Sequence, residues 1–314
     1  MDALKILAPG GYTTVQDKGR YGYQQMGVPI SGVLDAFAFQ VANILVGNCN
    51  NAAVLEITVM GPLIEILVHA DIALTGAEMG MTINDQPVQE WRSIRVKPGD
   101  ILTIQQVKSG CRAYLAISGG IDVPEVMGSC STYVGGKIGG FHGRPLKKGD
   151  VLGCKNAQLL TEQRRVTSDM IPEYPSEIVI RAIPGPQDNF FDEGLNILFS
   201  SKFMVTAKAD RMGYRLQGPA IQIKDNMPKS IISEPSMPGA IQIPADEQPI
   251  ILLVEQTMGG YAKIATVISS DLRWVAQTTP GDSIRFEKVN LELAHLLYIK
   301  EKKIIDTIQS IFSN

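Results

Sequence analysis

The most constraining feature of this sequence is its succession of short apolar runs separated by turn-forming residues. Between residues 54 and 117 these runs read VLEITVMG, PLIEILV, DIALTG, MTIN, SIRVKPGDILTIQQV and AYLAISGG, with Gly, Pro, Asn and Asp at or near their ends. Runs of this length with closely spaced turn signals are typical of antiparallel strands that close into a barrel or pack as a sandwich. The pattern therefore predicts a mainly β protein.

The second half of the chain repeats this pattern with EIVIRAIPGP, YRLQGPAIQIK, AIQIPADEQPIILLVEQ, KIATVIS and DSIRFEKV. Two phrases recur between the halves. GPLIEI at 61–66 resembles GPAIQI at 218–223, and VKPGDILTI at 96–104 resembles TTPGDSIRF at 278–286. Each echo alone says little, because Pro-Gly-Asp is a favoured turn sequence and Gly-Pro is a common end to a strand. Together they favour a duplicated β unit.

A few segments show helical periodicity. LDAFAFQVANILVGN places apolar residues on one face, with Asp35 positioned to cap the amino end and Gly47 the carboxyl end. QDNFFDEGLNILFSS predicts a second, shorter helix. Apolar residues at helical spacing near the end of the chain predict a C-terminal helix over 291–314.

The stretch KNAQLLTEQRRVTSDMIPEYPSE between the two halves is polar and has no clear periodicity. Such segments commonly connect domains. We therefore expect a domain over 1–155, a linker over 156–176 and a second domain over 177–290, followed by the C-terminal helix.

The charge balance excludes some classes of partner. Lys and Arg number 29 and Asp and Glu 32, for a formal net charge of −3 over 314 residues. This composition provides no basic field that would hold nucleic acid or anionic lipid. The amino terminus, MDALKILAPGGYTT, has no apolar signal region, and no window approaches the ~20 apolar residues of a membrane span. We expect a soluble, cytoplasmic protein with neither nucleic acid nor membrane as partner.

Cysteine and histidine give no metal-binding pattern. The four cysteines and three histidines are scattered, and no Cys-x-x-Cys pair occurs. Neither a zinc site nor a disulfide scaffold is predicted, and we expect no metal bound by these residues. A cysteine nucleophile stays open, because its partners would assemble in space.

A glycine doublet follows the apolar run PIILLV, in the sequence EQTMGGYAKIA at 255–265. Ordered glycines occur where a turn needs positive φ or where a ligand must approach the main chain closely. One interpretation is a plain hairpin turn. The other is a ligand-binding loop, whose candidate residues are Gln256, Thr257, Gly259, Gly260, Tyr261 and Lys263.

The second candidate region is the long polar segment GYTTVQDKGRYGYQQMGVPISGVLDAFAF at 11–39. Long irregular segments must satisfy their backbone polar groups, and they often carry function. The planar guanidinium of Arg20 suits a carboxylate or phosphate. The alternative is an internal Asp17–Arg20 pair that only holds the segment in shape.

Motifs along most of the chain resemble those of the KipA-like proteins, also called allophanate hydrolase subunit 2 or the biotin-dependent carboxyltransferase domain family. The resemblance covers about residues 13–286 and rests on TTVQDKGRYGYQQMGVPISGVLDAFAFQVANILVGN, AVLEITVMGP, YLAISGGIDVPEVMGS, GRPLKKGD, IPGPQDNFF, ADRMGYRLQGP, IISEPSMPGAIQIPADEQPIILL and QTMGGYAKIATVIS. Two positions depart from the family pattern. Met258 stands where a second threonine is usual, and Ala262 where a proline usually precedes the lysine.

This resemblance implies two tandem cyclophilin-like β-barrel domains. Family members act as the C component of an ATP-dependent 5-oxoprolinase, which opens 5-oxoproline to glutamate together with KipI-like and LamB/YcsF-like subunits. Related domains form the carboxyltransferase part of urea carboxylase, where carboxyl-biotin is the donor. A further branch antagonises a KipI-like inhibitor of a histidine kinase, which would make this chain a non-catalytic regulator.

The sequence narrows the cofactors that this resemblance implies. It has no Met-Lys-Met biotinylation motif, so we expect no covalently attached biotin on this chain. It also has no GxxxxGK[ST] phosphate loop, and GGKIGGFHGRP at 135–145 is interpreted as a mobile surface loop. An ATP site, with Mg²⁺, would then be unconventional and shared with the KipI-like subunit.

The 5-oxoprolinase interpretation assigns roles to the two candidate regions. Phosphorylation of the lactam oxygen requires positive charge and hydrogen-bond donors around the reacting oxygens. Lys263, Tyr261 and Gln256 are the candidate catalytic residues. Arg20 or Arg211 would hold the substrate carboxylate, although Arg211 could instead pair with Asp210 or Asp188. The other candidate substrate-binding residues are Gln16, Asp17, Ser31, Thr257, Gly259 and Gly260, and we expect both regions to meet in one hollow.

Overall fold

The computed structural model describes residues 1–155 and 158–312, in two compact units. The first contains Met1–Arg20, Ser31–Tyr174 and the chain from Lys303 onward, and the second contains Tyr21–Ile30 and Pro175–Lys302. The start of the predicted linker, Asn156 and Ala157, and the last two positions of the predicted C-terminal helix lie outside the described residues. The predicted division into domains stays a prediction.

The first unit contains two antiparallel sheets. Its strands are β1 (Asp2–Ala8), β2 (Tyr12–Gln16), β3 (Val54–Thr58), β4 (Leu63–Ile66), β5 (Ala70–Glu78), β6 (Met81–Ile83), β7 (Gln86–Val88), β8 (Ile94–Val96), β9 (Ile101–Ile104), β10 (Ser109–Ile117), β11 (Ile121–Asp122) and β12 (Val151–Cys154). The seven-stranded sheet has the order β11-β12-β1-β4-β9-β6-β7, and the five-stranded sheet has the order β2-β3-β10-β5-β8.

One apolar core joins the two sheets of this unit. It contains alternate residues of β1 and β4 from one sheet, such as Ile6 and Ile64, and of β3 and β5 from the other, such as Leu55 and Leu74. Alternation places every second side chain on the same face of a strand. Full burial of each such aliphatic side chain stabilises the fold by roughly 1.5–3 kcal/mol before entropy is counted. The short apolar runs of the sequence thus supply the core.

The predicted first helix is confirmed as α1 (Ala36–Leu45). The carboxylate of Asp35 accepts a hydrogen bond from the N–H of Ala38 at 2.9 Å, and Gly47 follows the helix end with a φ of 75°. α1 packs in a second apolar cluster with Trp91 and Tyr114. The cap and the following glycine therefore set the two ends of α1, as the sequence predicts.

The described part of the predicted linker packs on the first unit. The N–H of Leu160 donates to Oδ2 of Asp71 at 2.7 Å. The guanidinium of Arg164 donates to the carbonyl of Ile44 at 2.6 Å, and Val166 is buried. Donors of this segment thus bind carboxylate and carbonyl groups of the first unit. The segment packs on that unit although its sequence lacks apolar periodicity.

The second unit is built on a closed barrel. Its strands are β13 (Glu177–Pro184), β14 (Lys202–Ala209), β15 (Gly213–Gln217), β16 (Glu234–Pro235), β17 (Ala240–Ile243), β18 (Ile250–Leu252), β19 (Met258–Gly259), β20 (Ala262–Val267) and β21 (Ser283–Lys288). The barrel has the order β13-β20-β17-β18-β15-β14-β21 and closes through the parallel pair β13 and β21. Strands β16 and β19 form a separate two-stranded sheet.

Three further helices follow in the chain, α2 (Glu193–Ser200), α3 (Leu272–Ala276) and α4 (Leu291–Ile311). The predicted C-terminal helix is therefore present, and Ile305 and Ile308 bury its last turns in the cluster that contains α1. Across residues 1–155 and 158–312, none of the helices combines the length and apolar character needed to cross a bilayer.

The fold prediction is confirmed, because the chain is mainly β with a closed barrel, few helices and a C-terminal helix. One of the two sequence echoes also has a structural counterpart. In each Pro-Gly-Asp turn the aspartate carboxylate accepts the N–H three residues earlier, at 3.0 Å for Asp100 and 2.7 Å for Asp282. GPLIEI contains β4, whereas GPAIQI lies beyond the end of β15 and forms no strand, so that echo does not extend to the structure.

Candidate functional site

The glycine doublet lies in a loop that crosses from one barrel strand to another. β18 and β20 each pair with β17, and the loop between them pairs through β19 with β16. The plain hairpin interpretation is therefore wrong, since the flanking strands are not partners. Neither Gly259 nor Gly260 has a positive φ. A Cβ at Gly259 would lie 2.5 Å from Nε2 of Gln242, so the glycine allows a close approach by the protein's own side chain.

Lys263 is the first charged residue of β20, and its side chain is only 6% exposed. Its Nζ lies 2.6 Å from Oε1 of Glu234, whose side chain is 43% exposed. Its backbone N–H donates to Oε1 of Gln187 at 3.0 Å, and the Gln187 amide donates to the same Glu234 oxygen at 3.4 Å. The hydrogen bond from Lys263 lowers the pKa of Glu234. Lys263 is thus a nearly buried cation whose partner reaches solvent.

Two buried polar side chains flank β19. Gln242 lies opposite Lys263 in the β17–β20 register, which places both side chains on one face. Its Nε2 and the Oγ of Ser236 have no hydrogen-bond partner among the described residues, and the two residues are 3% and 1% exposed. The N–H of Ser236 donates to the carbonyl of Thr257 at 3.0 Å. These unpaired groups adjoin the glycine loop.

Part of the polar amino-terminal segment also reaches this loop. Residues 21–30 belong to the second unit, and the amide of Gln24 approaches the carbonyl of Ser236 at 3.5 Å. Among the predicted loop residues, Gln256 donates to the carbonyl of Met258 and so bridges the loop. Tyr261 is 42% exposed, which leaves its ring accessible to a ligand.

Arg211 lies beside the start of the same loop. Its Nε lies 2.6 Å from Oε1 of Glu255, and the N–H of Glu255 donates to the carbonyl of Arg211 at 3.1 Å. The sequence interpretation considered Asp210 or Asp188 as the partner and did not consider Glu255. Asp210 accepts the N–H groups of Met212 and Gly213 in its own turn. Arg211, which lies just before β15, therefore connects the start of that strand to the loop through its ion pair with Glu255. Its role in substrate binding stays a prediction.

Asp17 and Arg20 lie in the first unit and bind different groups. The Asp17 carboxylate accepts hydrogen bonds from Ser129, Ser131 and the backbone of Cys130 and Gly19. Arg20 is fully buried and donates to the carbonyls of Val126 at 3.0 Å and Ser131 at 2.8 Å. The considered Asp17–Arg20 ion pair is therefore replaced by contacts of both residues with the segment around 126–131.

Unpaired polar atoms surround Arg20 as well. Nη1 of Arg20, Oε1 of Gln16 and Oγ of Ser31 are buried and have no hydrogen-bond partner within the described ranges. Burial lowers the pKa of the Arg20 guanidinium, and the nearby Asp17 charge partly offsets this effect. The four predicted residues of this region, Gln16, Asp17, Arg20 and Ser31, are thus all buried polar groups of one unit.

The glycine-rich segment at 135–145 contributes to the surroundings of Arg20. A Cβ at Gly139 would lie 2.6 Å from Nη2 of Arg20 and 2.2 Å from the carbonyl of Ser131, and Gly140 is buried. The surface-loop interpretation is therefore corrected for Gly139 and Gly140, which pack against the Arg20 region. Arg20 and Lys263 belong to different units, and a single hollow formed by both regions stays a prediction.

The fold and the two buried polar clusters place this chain in the class of mainly β barrel proteins. Comparison with known proteins gives its family. The carboxyltransferase domain, subdomain A and B, matches residues 26–288, and the chain belongs to this family. It is 40% identical over 293 residues to the C component of the 5-oxoprolinase of Escherichia coli (strain K12), and the match covers 93% of each chain.

The chain is also similar to part of a larger enzyme. It is 37% identical over 330 residues to the urea amidolyase of Lachancea kluyveri, and the match covers 98% of this chain and 18% of that protein. It superposes on the crystal structure of the K. lactis urea amidolyase with a TM-score of 0.92 and 35% identity, over 98% of this chain and 20% of that chain. The chain thus spans about a fifth of the urea amidolyases that it matches.

Proposed function

We propose that this chain is the C component of an ATP-dependent 5-oxoprolinase, which opens 5-oxoproline to glutamate with KipI-like and LamB/YcsF-like subunits. The observation that carries the proposal is the end-to-end match with the corresponding 5-oxoprolinase component of E. coli, which covers 93% of both chains. The match to urea amidolyase covers 18% of the larger protein, so it relates this chain to one part of that enzyme.

Lys263 is the residue best placed for this chemistry. In the proposed reaction the lactam oxygen would attack the γ-phosphorus of ATP, and ADP would leave. Water would then add to the activated ring carbon, the ring C–N bond would break, and inorganic phosphate would leave to give glutamate. Negative charge lies on the oxygens of the transferred phosphoryl group, and a fixed cation with little access to water stabilises this charge more than a solvated cation does. The nearly buried ammonium of Lys263 meets this requirement, and the exposed ring of Tyr261 would contact the substrate.

Glu234 limits when Lys263 can bind an anion. The carboxylate and the ammonium neutralise each other at 2.6 Å in the free chain. Because the Glu234 side chain is 43% exposed, it can turn into water when an anionic group takes its place. Glu234 would then hold the Lys263 side chain in position between turnovers, and the substrate or phosphate would compete with Glu234 for it.

The residues present fit part of an ATP–Mg²⁺ site. The nearly buried ammonium of Lys263 suits a phosphate oxygen. Within residues 1–155 and 158–312, however, no group of three or more His, Cys, Asp or Glu side chains is arranged to hold a metal ion. In this proposal the KipI-like subunit supplies the remaining contacts to Mg²⁺ and nucleotide.

A second candidate function is carboxyl transfer with a separate biotin protein. The superposition on the K. lactis urea amidolyase at a TM-score of 0.92 favours it. Carboxyl-biotin, a lactam and urea all present a planar carbonyl group, so the same donors would serve each of them. This candidate requires a biotin carrier, whereas 5-oxoproline opening does not.

The test is reconstitution of the full chain with the KipI-like and LamB/YcsF-like subunits. We expect glutamate to form from 5-oxoproline only when ATP and all three proteins are present, and avidin to have no effect. Glutamate formation that persists without this chain would contradict the proposal. Inhibition by avidin would instead support carboxyl transfer.

A further inference from the structure

Gln242 and Ser236 are buried hydrogen-bond donors that the roles assigned above do not use. Nε2 of Gln242 and Oγ of Ser236 have no partner among residues 1–155 and 158–312, although the residues are only 3% and 1% exposed. Buried polar groups are nearly always paired, so two unpaired donors beside one loop indicate a position at which something else accepts their hydrogen bonds.

The strand register brings Gln242 to Lys263. Gln242 lies opposite Lys263 across the β17–β20 pair, and its amide reaches the space that a side chain at Gly259 would occupy. Gly259 lies opposite Glu234, the ion-pair partner of Lys263. Gln242, Lys263, Gly259 and Glu234, from four different strands, therefore form one continuous group within the second unit.

Ser236 lies on the same short sheet. It directly follows β16, and its N–H binds the carbonyl of Thr257, the residue before β19. Its backbone is thus held next to the segment that carries Gly259, and its hydroxyl is buried. The carbonyl of Ser236 accepts a hydrogen bond from the side-chain amide of Gln24 at 3.5 Å.

We propose that the Gln242 amide and the Ser236 hydroxyl donate hydrogen bonds to the ring carbonyl oxygen of the substrate. This inference rests on the proposed function and names the part of the substrate that this site recognises. Hydrogen bonds from a fixed amide and a fixed hydroxyl orient the lactam, and a remaining lone pair of its ring oxygen then forms the bond to phosphorus. Lys263, on the same face as Gln242, then lies beside the oxygen that receives the phosphoryl group.

The experiment compares 5-oxoproline with its thiolactam analogue, in which sulfur replaces the ring oxygen. Sulfur accepts hydrogen bonds more weakly than oxygen does, so the ratio of the two affinities reports on donors to this atom. Calorimetric titration of the full chain without ATP measures both affinities. We expect the wild-type chain to prefer 5-oxoproline by about tenfold, the amount that one or two neutral hydrogen bonds provide.

Two variants and a control make this result specific. Gln242→Met keeps the side-chain length and removes the donors, and Ser236→Ala removes the hydroxyl. Each should lower the preference for oxygen by about threefold or more. Gln217→Met changes an exposed glutamine of the same barrel and should keep the wild-type ratio. If Gln242→Met does not fold, as judged by its melting curve, Ser236→Ala decides the question.

The outcomes separate this inference from the proposed function. Wild-type ratios in both variants would overturn the inference, while the reconstituted complex could still form glutamate. Failure of the wild-type chain to bind 5-oxoproline would also overturn it. The turnover assay with the two partner subunits decides the proposed function independently.

Discussion

Nζ of Lys263 lies 2.6 Å from Oε1 of Glu234, and this contact connects barrel strand β20 to the short sheet of β16 and β19. The two partners differ in their environment, since the lysine side chain is 6% exposed and the glutamate side chain 43%. A nearly buried cation needs a counter-charge or strong acceptors. Glu234 supplies this counter-charge in the free chain, and in the proposed function an anionic ligand replaces it.

The ion pair predicts a pH-dependent effect of Glu234→Gln on stability. The pKa of Glu234 is lowered in the folded chain by its hydrogen bond with Lys263. Its contribution is therefore present above the unfolded pKa, near 4.3, and is lost as pH falls through the lower folded value. We expect the variant to be less stable at pH 7 by up to about 1 kcal/mol, because the glutamate is half exposed.

Urea unfolding of the wild type and the variant at pH 7, 5 and 4 checks this prediction. The difference in free energy of unfolding should shrink below about pH 4.5. Glu162→Gln alters an exposed glutamate of the first unit and should have no comparable effect. A difference that grows on acidification would refute the assignment.

Gly139→Ala should destabilise the first unit strongly. Its φ is 65°, and an added Cβ would lie 2.2 Å from the carbonyl of Ser131, which also accepts a hydrogen bond from Arg20. Gly149 has a φ of 90° but no atom within 4 Å of an added Cβ, so Gly149→Ala isolates the cost of the backbone conformation. We expect roughly 1–2 kcal/mol for Gly149→Ala and at least about 2 kcal/mol more for Gly139→Ala. Equal losses in denaturant unfolding would show that the close packing at Gly139 has no energetic weight.

Arg20→Lys tests the buried guanidinium. Arg20 donates to two carbonyls from different nitrogens, and a lysine ammonium cannot reproduce this planar geometry. We expect a loss of about 1–3 kcal/mol of stability, because a buried acceptor is left unpaired. Arg215→Lys is the matched control, since Arg215 is 45% exposed and lies 3.8 Å from Asp246. Loss of the same size in both variants would contradict the account of Arg20.

The cysteines should differ sharply in reactivity. Cys49 is exposed, whereas Cys130 is buried next to Asp17. Burial, assisted by the Asp17 charge, raises the pKa of the Cys130 thiol to about 11. Since the thiolate is the reactive form, iodoacetamide at pH 8 should label Cys49 first and leave Cys130 unlabelled in the folded chain. Mass spectrometry of the labelled peptides identifies the sites, and Cys49→Ser should remove the fast phase. Early labelling of Cys130 would indicate an activated thiol and revive the cysteine nucleophile.

Local patterns in the sequence predicted the parts of the fold that depend on local physics. The two-residue alternation of the apolar runs indicated strands, and Asp35 and Gly47 marked the ends of α1 because their roles depend on the adjoining backbone. The Pro-Gly-Asp turns were recognisable for the same reason.

Long-range partners could not be predicted from the sequence in this way. Glu234 and Gln187 lie 29 and 76 residues before Lys263, and only the barrel register brings them together. Glu255 is similarly 44 residues from Arg211. Gln242 gave no signal by itself, because an alternating strand such as AIQIP does not reveal which polar side chain turns inward without a partner. The glycine doublet was the signal that located the region.

Lys263→Ala in the complex reconstituted with the KipI-like and LamB/YcsF-like subunits tests the central claim most directly. Glutamate formation from 5-oxoproline and ATP should fall by about a hundredfold or more, with assembly unchanged by gel filtration, because the fixed positive charge beside the transferred phosphoryl group is lost. Lys208→Ala, which removes an exposed lysine of the same barrel, should keep full activity. Equal rates of glutamate formation by the Lys263→Ala and wild-type complexes would contradict the account.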